Sequence, residues 1–306
     1  MIADHITKSR SRRMILLPFK PLQAIDNTVH SIFKLPSSLK NQESKHVRLA
    51  GTLNGIVLLV LKDMILYNPL TGAFKIVPNP PFESSSTSIE NYGFGYGTTP
   101  DDLKIVRLTS NNNKLYDDSR SCNVFSLKKG SWSRKSWRLI QRCFIKDCAG
   151  TFVNGFLYWI AIRGHGCLIV ALDVKEMVFS EIELPFFHSL DSLGTSGGRL
   201  HAFGVISAEY ELWVMDEHGK EKSWSKVLTL SDLPDFDIPL SIIDMGKIVL
   251  LKIKDRKQVV IYDWLKDSYE VYEVNASLVG VWRLQAMECV GSLISPSDLC
   301  SSIDIK

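Results

Sequence analysis

Leu53-Asn-Gly-Ile-Val-Leu-Leu-Val60, followed by Asp63-Met-Ile-Leu-Tyr-Asn-Pro-Leu-Thr-Gly-Ala-Phe-Lys-Ile-Val-Pro78, is the stretch whose reading decides the fold. Asn54-Gly55 lies between β-rich runs, and that pairing favours a hairpin because both central residues of a type I′ turn need positive φ. Asn68-Pro-Leu-Thr-Gly72 then separates two more apolar runs. The passage reads as strands joined by tight turns, with Asn54-Gly55 marking the entry to a structural unit.

The same order returns at Phe152-Val-Asn-Gly-Phe-Leu-Tyr-Trp-Ile-Ala161, with Cys167 to Pro185 supplying the second half. It recurs from Gly197-Gly198 through ELWVMDEHGKEKSWSKVLTL, and from Met245-Gly246 through QVVIYDWLKDSYEVYEV. A looser copy runs from LKIVRL, across a polar stretch from Thr109 to Ser121, into CNVFSLKKGSWSRKSW. Asn54 to Asn154 leaves room for two units, and a recurrence of about 40 to 50 residues is the period of propeller blades. Val, Ile, Tyr, Phe and Trp recur in short runs bounded by Gly, Pro, Asn and Asp, while no window sustains a capped helical period. The chain is therefore expected to be all-β. A β-sandwich is the rival architecture, but it does not account for the recurring order of turn and apolar pair.

Five copies leave residues at both ends. Met14 to Leu17, Leu22 to Ile25 and Arg283 to Val290 have strand character, so the two termini are expected to share a sixth blade, which removes an open sheet edge. The expected organisation is a basic N-terminal arm over residues 1–13, one kelch-like propeller of about six blades over 14–295, and a tail over 296–306.

The chain has 306 residues, 45% of them hydrophobic, enough for a large core without disulfide or metal support. A formal charge of only +3 argues against a dedicated nucleic-acid binder, which needs a dense positive field. The excess is confined to residues 1–50, where Lys8, Arg10, Arg12 and Arg13 read as a solvated arm rather than a targeting signal or phosphate patch. Six cysteines show no CxxC pair, and the gap between Cys143 and Cys148 has no matching second pair, so reduced thiols and no zinc site are expected. The longest apolar run, Ile56 to Leu61, stops at Lys62, far short of a membrane span. An intracellular, cytoplasmic or nuclear, monomeric protein that binds neither membrane nor nucleic acid is the expectation. The sequon Asn275-Ala-Ser277 carries little weight without a secretion signal.

Catalytic motifs are weak. Gly194-Thr-Ser-Gly-Gly198 matches G-x-S-x-G, but a strand follows where a nucleophile elbow needs a helix. His165 and Cys167 are close in sequence, whereas nucleophilic Cys/His pairs are brought together by the fold. Gly93-Phe-Gly-Tyr-Gly97 has the wrong spacing for a phosphate loop and leads into Thr-Thr-Pro-Asp-Asp. Asp101-Asp102 and Asp117-Asp118 read as solvated loop charges, and abundant carboxylates without a motif nominate no acid and base. No catalytic residue, metal site or cofactor is assigned. Trp132, Trp137, Trp159, Trp213, Trp224, Trp264 and Trp282 fall mostly at comparable places in the copies and are expected as wedges between blades rather than as an aromatic binding platform.

In its wording the repeat resembles the F-box-associated interaction domain of plant F-box proteins, a relative of the kelch-type propellers. The matching pieces are Leu53-Asn-Gly with Ile65 to Gly72 and Phe74 to Pro78, then Tyr92 to Tyr96 with Asp101 to Val106. Val124 to Leu127, Ser136-Trp137, Phe152 to Trp159, Ala171 to Asp173, Phe179, Glu183 to Pro185, Glu211 to Met215 and Ser223-Trp224 complete the ordered set, across about residues 48 to 295. The resemblance implies a substrate-recruiting module of an SCF-type cullin-RING ubiquitin ligase, binding client proteins for ubiquitination and catalysing nothing itself. In such proteins an N-terminal F-box docks a Skp1-type adaptor. Residues 1–50 lack the leucine-proline start and helical spacing of an F-box, so adaptor binding is expected only if one is supplied. The chain is then either a shortened form or works without direct adaptor contact. The rival function is a propeller enzyme acting on a glycan or ester in its central pocket, which would require converging carboxylates there. Pro81 to Asn91, Thr109 to Ser121 and Pro234 to Pro239 are the segments expected to be exposed loops.

Overall fold

With two exceptions, the short strand Phe144–Ile145 and the last strand, each strand pairs with a neighbour in sequence, giving six antiparallel sheets arranged as the blades of a propeller. The structure, a computed structural model, describes residues 13–17, 22–26, 30–33, 47–81, 88–100, 102–111, 121–135, 137, 143–146, 149–184, 189–206, 209–218, 223–230, 238–243, 246–251, 258–274 and 286–300. The first three strands are β1 (Arg13–Leu17), β2 (Leu22–Asp26) and β3 (His30–Phe33). Blade 1 follows as β4 (Arg48–Leu53), β5 (Ile56–Val60), β6 (Met64–Tyr67) and β7 (Phe74–Val77). Blade 2 is β8 (Ser88–Tyr96), β9 (Leu103–Asn111), β10 (Ser121–Ser126) and β11 (Ser131–Lys135).

In blade 3 two short pieces, β12 (Phe144–Ile145) and β13 (Thr151–Val153), both pair with β14 (Phe156–Arg163), which is followed by β15 (Gly166–Asp173) and β16 (Val178–Glu183). Blade 4 is β17 (Ser189–Ser196), β18 (Arg199–Ile206), β19 (Glu209–Met215) and β20 (Trp224–Leu230). Blade 5 is β21 (Ile238–Ile243), β22 (Lys247–Leu251), β23 (Gln258–Asp263) and β24 (Ser268–Glu273). The last strand, β25 (Met287–Val290), pairs antiparallel with β1, so the sixth sheet runs β25-β1-β2-β3 and joins the two ends of the chain.

The innermost strands touch in the order β4, β8, β13, β17, β21, β25 and back to β4. The ring is closed. Its core is not one cluster but six, one at each blade junction. Val57 and Leu59 pack with Met14, Leu16 and Met287 of blade 6, while Ile56, Leu58 and Val60 pack with Phe94 and Ile105 of blade 2. Successive side chains of a strand alternate between faces. A middle strand buried on both faces therefore reads as the unbroken apolar run Ile56–Val60, all five residues buried.

The innermost strands converge, and glycine is what lets them do so. A β-carbon on Gly194 of β17 would lie 2.7 Å from Ile242 Cβ and 2.9 Å from its carbonyl oxygen in β21. In β8, a β-carbon on Gly95 would come within 2.4 Å of the Phe152 ring in blade 3. The Gly-Phe-Gly-Tyr run is thus a packing device with small residues toward blade 3 and Phe94 toward blade 1.

The turns repeat more closely than the sequence suggested. Asn54-Gly55, Asn154-Gly155 and Gly197-Gly198 all have positive φ, as type I′ geometry requires. They close the first hairpin of their blades rather than lying at the blade entry. Between the third and fourth strands a side-chain acceptor holds the turn. Asn68 Oδ1 accepts from Leu70 and Thr71 N–H, Asp173 Oδ1 from Lys175 and Glu176, Asp263 Oδ1 from Leu265 and Lys266, and Ser126 Oγ from Lys129. Four residues on, Gly72, Gly130, Met177 and Asp267 each adopt positive φ. Asx and Ser turns of this kind substitute for backbone pairing.

Candidate binding faces and central channel

Alternation of strand direction sorts every connection onto one of two faces. One face, the turn face, carries the tight hairpins at 54–55, 154–155 and 197–198, together with 68–73, 127–130, 174–177, 216–223 and 264–267. From the other, the connection face, leave the segments that join one blade to the next, 34–47, 78–87, 136–143, 184–188, 231–237 and 274–286. The connection 112–120, between β9 and β10, leaves from it too.

The turn face is stitched from blade to blade. Asn154 Nδ2 of blade 3 donates to Gly198 O of blade 4 at 2.6 Å and Lys104 Nζ of blade 2 to Val174 O of blade 3 at 2.9 Å, while Val174 N donates within blade 3 to Gly155 O at 3.0 Å. Asn68, fully buried, donates through Nδ2 to both Ser292 O and Ile294 O at 2.8 Å, tying the segment after β25 to blade 1. Leu299, in the one turn of 3-10 helix at Asp298–Cys300, packs against the junction of blades 1 and 2. These bonds occupy polar groups that a partner would otherwise use.

His218, in the turn between β19 and β20, reaches blade 3. Its ring stacks on Phe156 with centroids 3.5 Å apart, and Tyr158 Oη lies 2.5 Å from Nδ1. Burial lowers the His218 pKa below the ordinary imidazole value, with the Asp173 carboxylate opposing. In the unfolded chain the imidazole takes up its proton below about pH 6.5, while the folded state resists it, so stability falls as pH drops through that value toward the lower folded one. The decrease in melting temperature between pH 7.5 and 5.5 is expected to be smaller in His218→Asn than in the parent. Equal decreases in the two proteins would remove this contact from the pH response.

The inner strands enclose a channel with a cavity of about 230 Å³. Its lining mixes Phe94 and Phe152 with the hydroxyls of Thr52, Thr151, Thr195 and Ser241. Among its described lining residues only Glu288 carries a carboxylate, and that group faces the Arg13 guanidinium at 3.5 Å. Retaining and inverting glycosidases both need two carboxyl groups flanking the bond that breaks. The described lining provides one.

The sequence motifs fall apart in three dimensions. Gly194 to Gly198 is the end of β17 and its hairpin into β18, with no helix following. His165 is exposed in the short turn between β14 and β15, and Cys167 packs partly buried on the junction of blades 3 and 4. Asp102 pairs with Lys104 at 3.0 Å. Cys122 and Cys289 are buried, which pushes both thiols up to about 12. Among the described residues no three of His, Cys, Asp and Glu converge as metal ligands. Lys8, Arg10, Arg12, Asp101, Asp117, Asp118, Cys148, Asn275 and Trp282 lie outside the described residues.

Two expectations need correction. The supposed loops are shorter than read: Ser88 to Asn91 belong to β8, Thr109 to Asn111 to β9, and Ile238 and Pro239 to β21. Polar Glu90 hid the strand start, because Arg107 pairs with its carboxylate and Tyr92 Oη donates to it at 2.5 Å, contacts that form only in the fold. The tryptophans also occupy different places. Trp159 is in the second strand of its blade, Trp213 in the third, Trp132 and Trp224 in the outermost, and Trp264 in a turn. Several still bridge blades, as Trp159 Nε1 does by donating to Tyr92 O at 3.0 Å.

A family model described as the F-box associated beta propeller domain matches residues 9–280. An F-box/kelch-repeat protein of Arabidopsis thaliana is 27% identical over 267 residues, covering 83% of this chain and 70% of that protein. A putative F-box protein of the same plant is 28% identical over 205 residues, 65% of this chain and 53% of its own length. The chain thus spans between about half and 70% of the curated relatives it matches first. Among solved structures, a chain of a nidogen/laminin complex superposes with a TM-score of 0.55 at 10% identity, covering 92% of this chain and 99% of that one. TolB from Acinetobacter baumannii gives 0.55 at 11% identity, covering 91% and 66%. At such identities the likeness extends to the fold alone.

Proposed function

The chain belongs to the F-box-associated β-propeller family, and from that premise we propose that it is the client-recognition module of an SCF-type ubiquitin ligase, binding target proteins through its connection face. The family match over residues 9–280 carries this reading. The lengths of the connections support the placement: the turn face carries mostly tight turns, whereas the segments joining the blades leave from the other, although both faces have bonds between blades, Lys146 Nζ to Leu190 O and Ala286 N to Leu240 O on the connection side. Binding residues concentrate on loops that a rigid scaffold positions. A single carboxylate-bearing residue, Glu288, in the described channel lining weighs against the two-carboxylate chemistry of a glycan-acting enzyme.

The test is affinity capture from plant extract with the intact chain beside two variants. In one the connections 78–87 and 184–188 are replaced by Gly-Ser, and in the other the turn-face loop 216–223. Proteins retained by the intact chain are expected to be lost with the first variant and kept with the second. The reverse pattern would move the site to the turn face, where Leu70 and Leu293 are exposed. No specific protein with any form would refute the reading.

A further inference from the structure

Blade 2 ends in an edge unlike the others. Its outermost strand, β11, has no partner on its outer side among the described residues, so alternate backbone N–H and C=O groups of Ser131 to Lys135 face outward. Residues 121–135 hold four Lys or Arg and no Asp or Glu. Lys129, Arg134 and Lys135 are exposed and have no ion-pair partner among the described residues. The nearest described carboxylates of the blade are already engaged, Glu90 by Arg107 and Asp102 by Lys104. Elsewhere β16 and β24 carry glutamates on their edges, β7 a single lysine, and β20 a lysine paired with Glu211 at 3.1 Å.

The edge is also held rigidly. Trp132 Nε1 donates to Pro78 O of blade 1 at 2.7 Å, and its ring packs on Phe125. Just beyond β11, Trp137 stacks on Phe179 of blade 3 with centroids 5.7 Å apart. The strand is therefore anchored to both neighbouring blades. By alternation Arg134 lies on the Trp132 face of the sheet and Lys135 on the other, so cations flank the open edge on both sides.

We propose that the outer edge of blade 2 binds an acidic, extended segment of a partner protein, which adds to β11 as a fifth, antiparallel strand. Backbone hydrogen bonds along β11 hold the segment, and Arg134, Lys135 and Lys129 select acidic side chains on its two faces. Lysines on an edge strand also discourage pairing with copies of the same chain. An acidic segment is the strand whose charge turns that repulsion into attraction. The proposal rests on the reading of the chain as a protein-binding module, and it adds a second contact to the connection face.

The test uses the full chain and a fluorescein-labelled peptide of repeating Glu-Glu-Val-Val, which sets glutamates on both faces of an added strand, read by anisotropy at physiological salt. Binding is expected, with affinity falling about tenfold or more in R134E/K135E and by less in R134Q/K135Q. Unchanged melting curves would show that both variants are folded. The lysine–valine counterpart should not bind, and N-methylation of alternate peptide amides should abolish binding. Equal binding of the N-methylated peptide, or of single-stranded oligo(dT), would overturn the proposal in favour of a plain electrostatic patch. Pairing of two copies through this edge in sedimentation would overturn it as well. If the peptide fails to bind while client capture through 78–87 and 184–188 survives, this proposal alone falls. If the peptide binds and client capture fails, the proposed function falls instead.

Discussion

Deleting residues 282–306 is expected to lower the melting temperature by about 10 °C or more and to broaden the transition. The deletion removes β25, which closes the ring between β1 and β4. Buried Met287 and Cys289 leave the junction of blades 6 and 1, and the β1 ladder from Arg13 to Leu16 loses its inner partner. Thr52 loses the carbonyl of Glu288, and Asn68 the carbonyls of Ser292 and Ile294. Burial of two side chains and several net hydrogen bonds amount to about 5 kcal/mol or more. At about 2–4 °C per kcal/mol the stated shift follows. A synthetic peptide of residues 286–300 added in trans should recover part of the loss. A truncated chain that melts like the parent would mean that the ring does not depend on its terminal strand.

Gly194→Val is expected to be the most damaging substitution on the inner strands. Its new β-carbon meets the β-carbon and backbone carbonyl of Ile242, which cannot move without shifting β21. At Gly95 the nearest atoms a new β-carbon meets belong to the ring of Phe152, which is partly exposed and able to swing aside. Overpacking costs of about 1–3 kcal/mol, occasionally more, are usual. We expect about 3 kcal/mol or more at Gly194 and about 1–2 kcal/mol at Gly95, measured by urea unfolding. Equal losses at the two positions would show that the blades accommodate the clash by a common breathing motion.

Much of the fold was legible because of how a propeller buries its strands. Middle strands lie between two blades, so Ile56–Val60 and Leu168–Leu172 appear as continuous apolar runs, and Asn-Gly turns separate them. Terminal closure was legible from Met14–Leu17 and Leu22–Ile25, which need a partner strand and find it in β25. Less visible were elements whose polar residues are satisfied only by tertiary contacts. β3 at His30–Phe33 is only four residues and follows Asp26-Asn27 too briefly to stand out as an apolar run, and β8 begins in Ser-Ile-Glu-Asn, which reads as loop until Arg107 and Tyr92 engage Glu90. The split of the third inner strand into β12 and β13 left no local mark either, since Gly150 N finds its acceptor in Tyr92 O of blade 2.

The candidate site was less legible than the fold. Composition and motif argued against chemistry, but the division of labour between faces depends on which strand ends meet, and that is a property of topology. The turn pattern in which Asn68, Ser126, Asp173 and Asp263 each precede a positive φ by four residues was present in the sequence as spacing. It became informative once the hydrogen bonds identified those side chains as one recurrent turn device, committed to structure and not to a partner.

The most direct measurement of the central claim is ubiquitin-remnant proteomics in plant cells expressing the chain with an F-box grafted to its N-terminus. The control carries the same graft on a chain with connections 78–87 and 184–188 replaced by Gly-Ser. A small set of proteins, the same ones captured by the ungrafted chain, is expected to gain ubiquitin with the intact propeller and not with the control. Identical ubiquitin profiles from the two fusions, both bound to the adaptor, would contradict the assignment of client recognition to this domain.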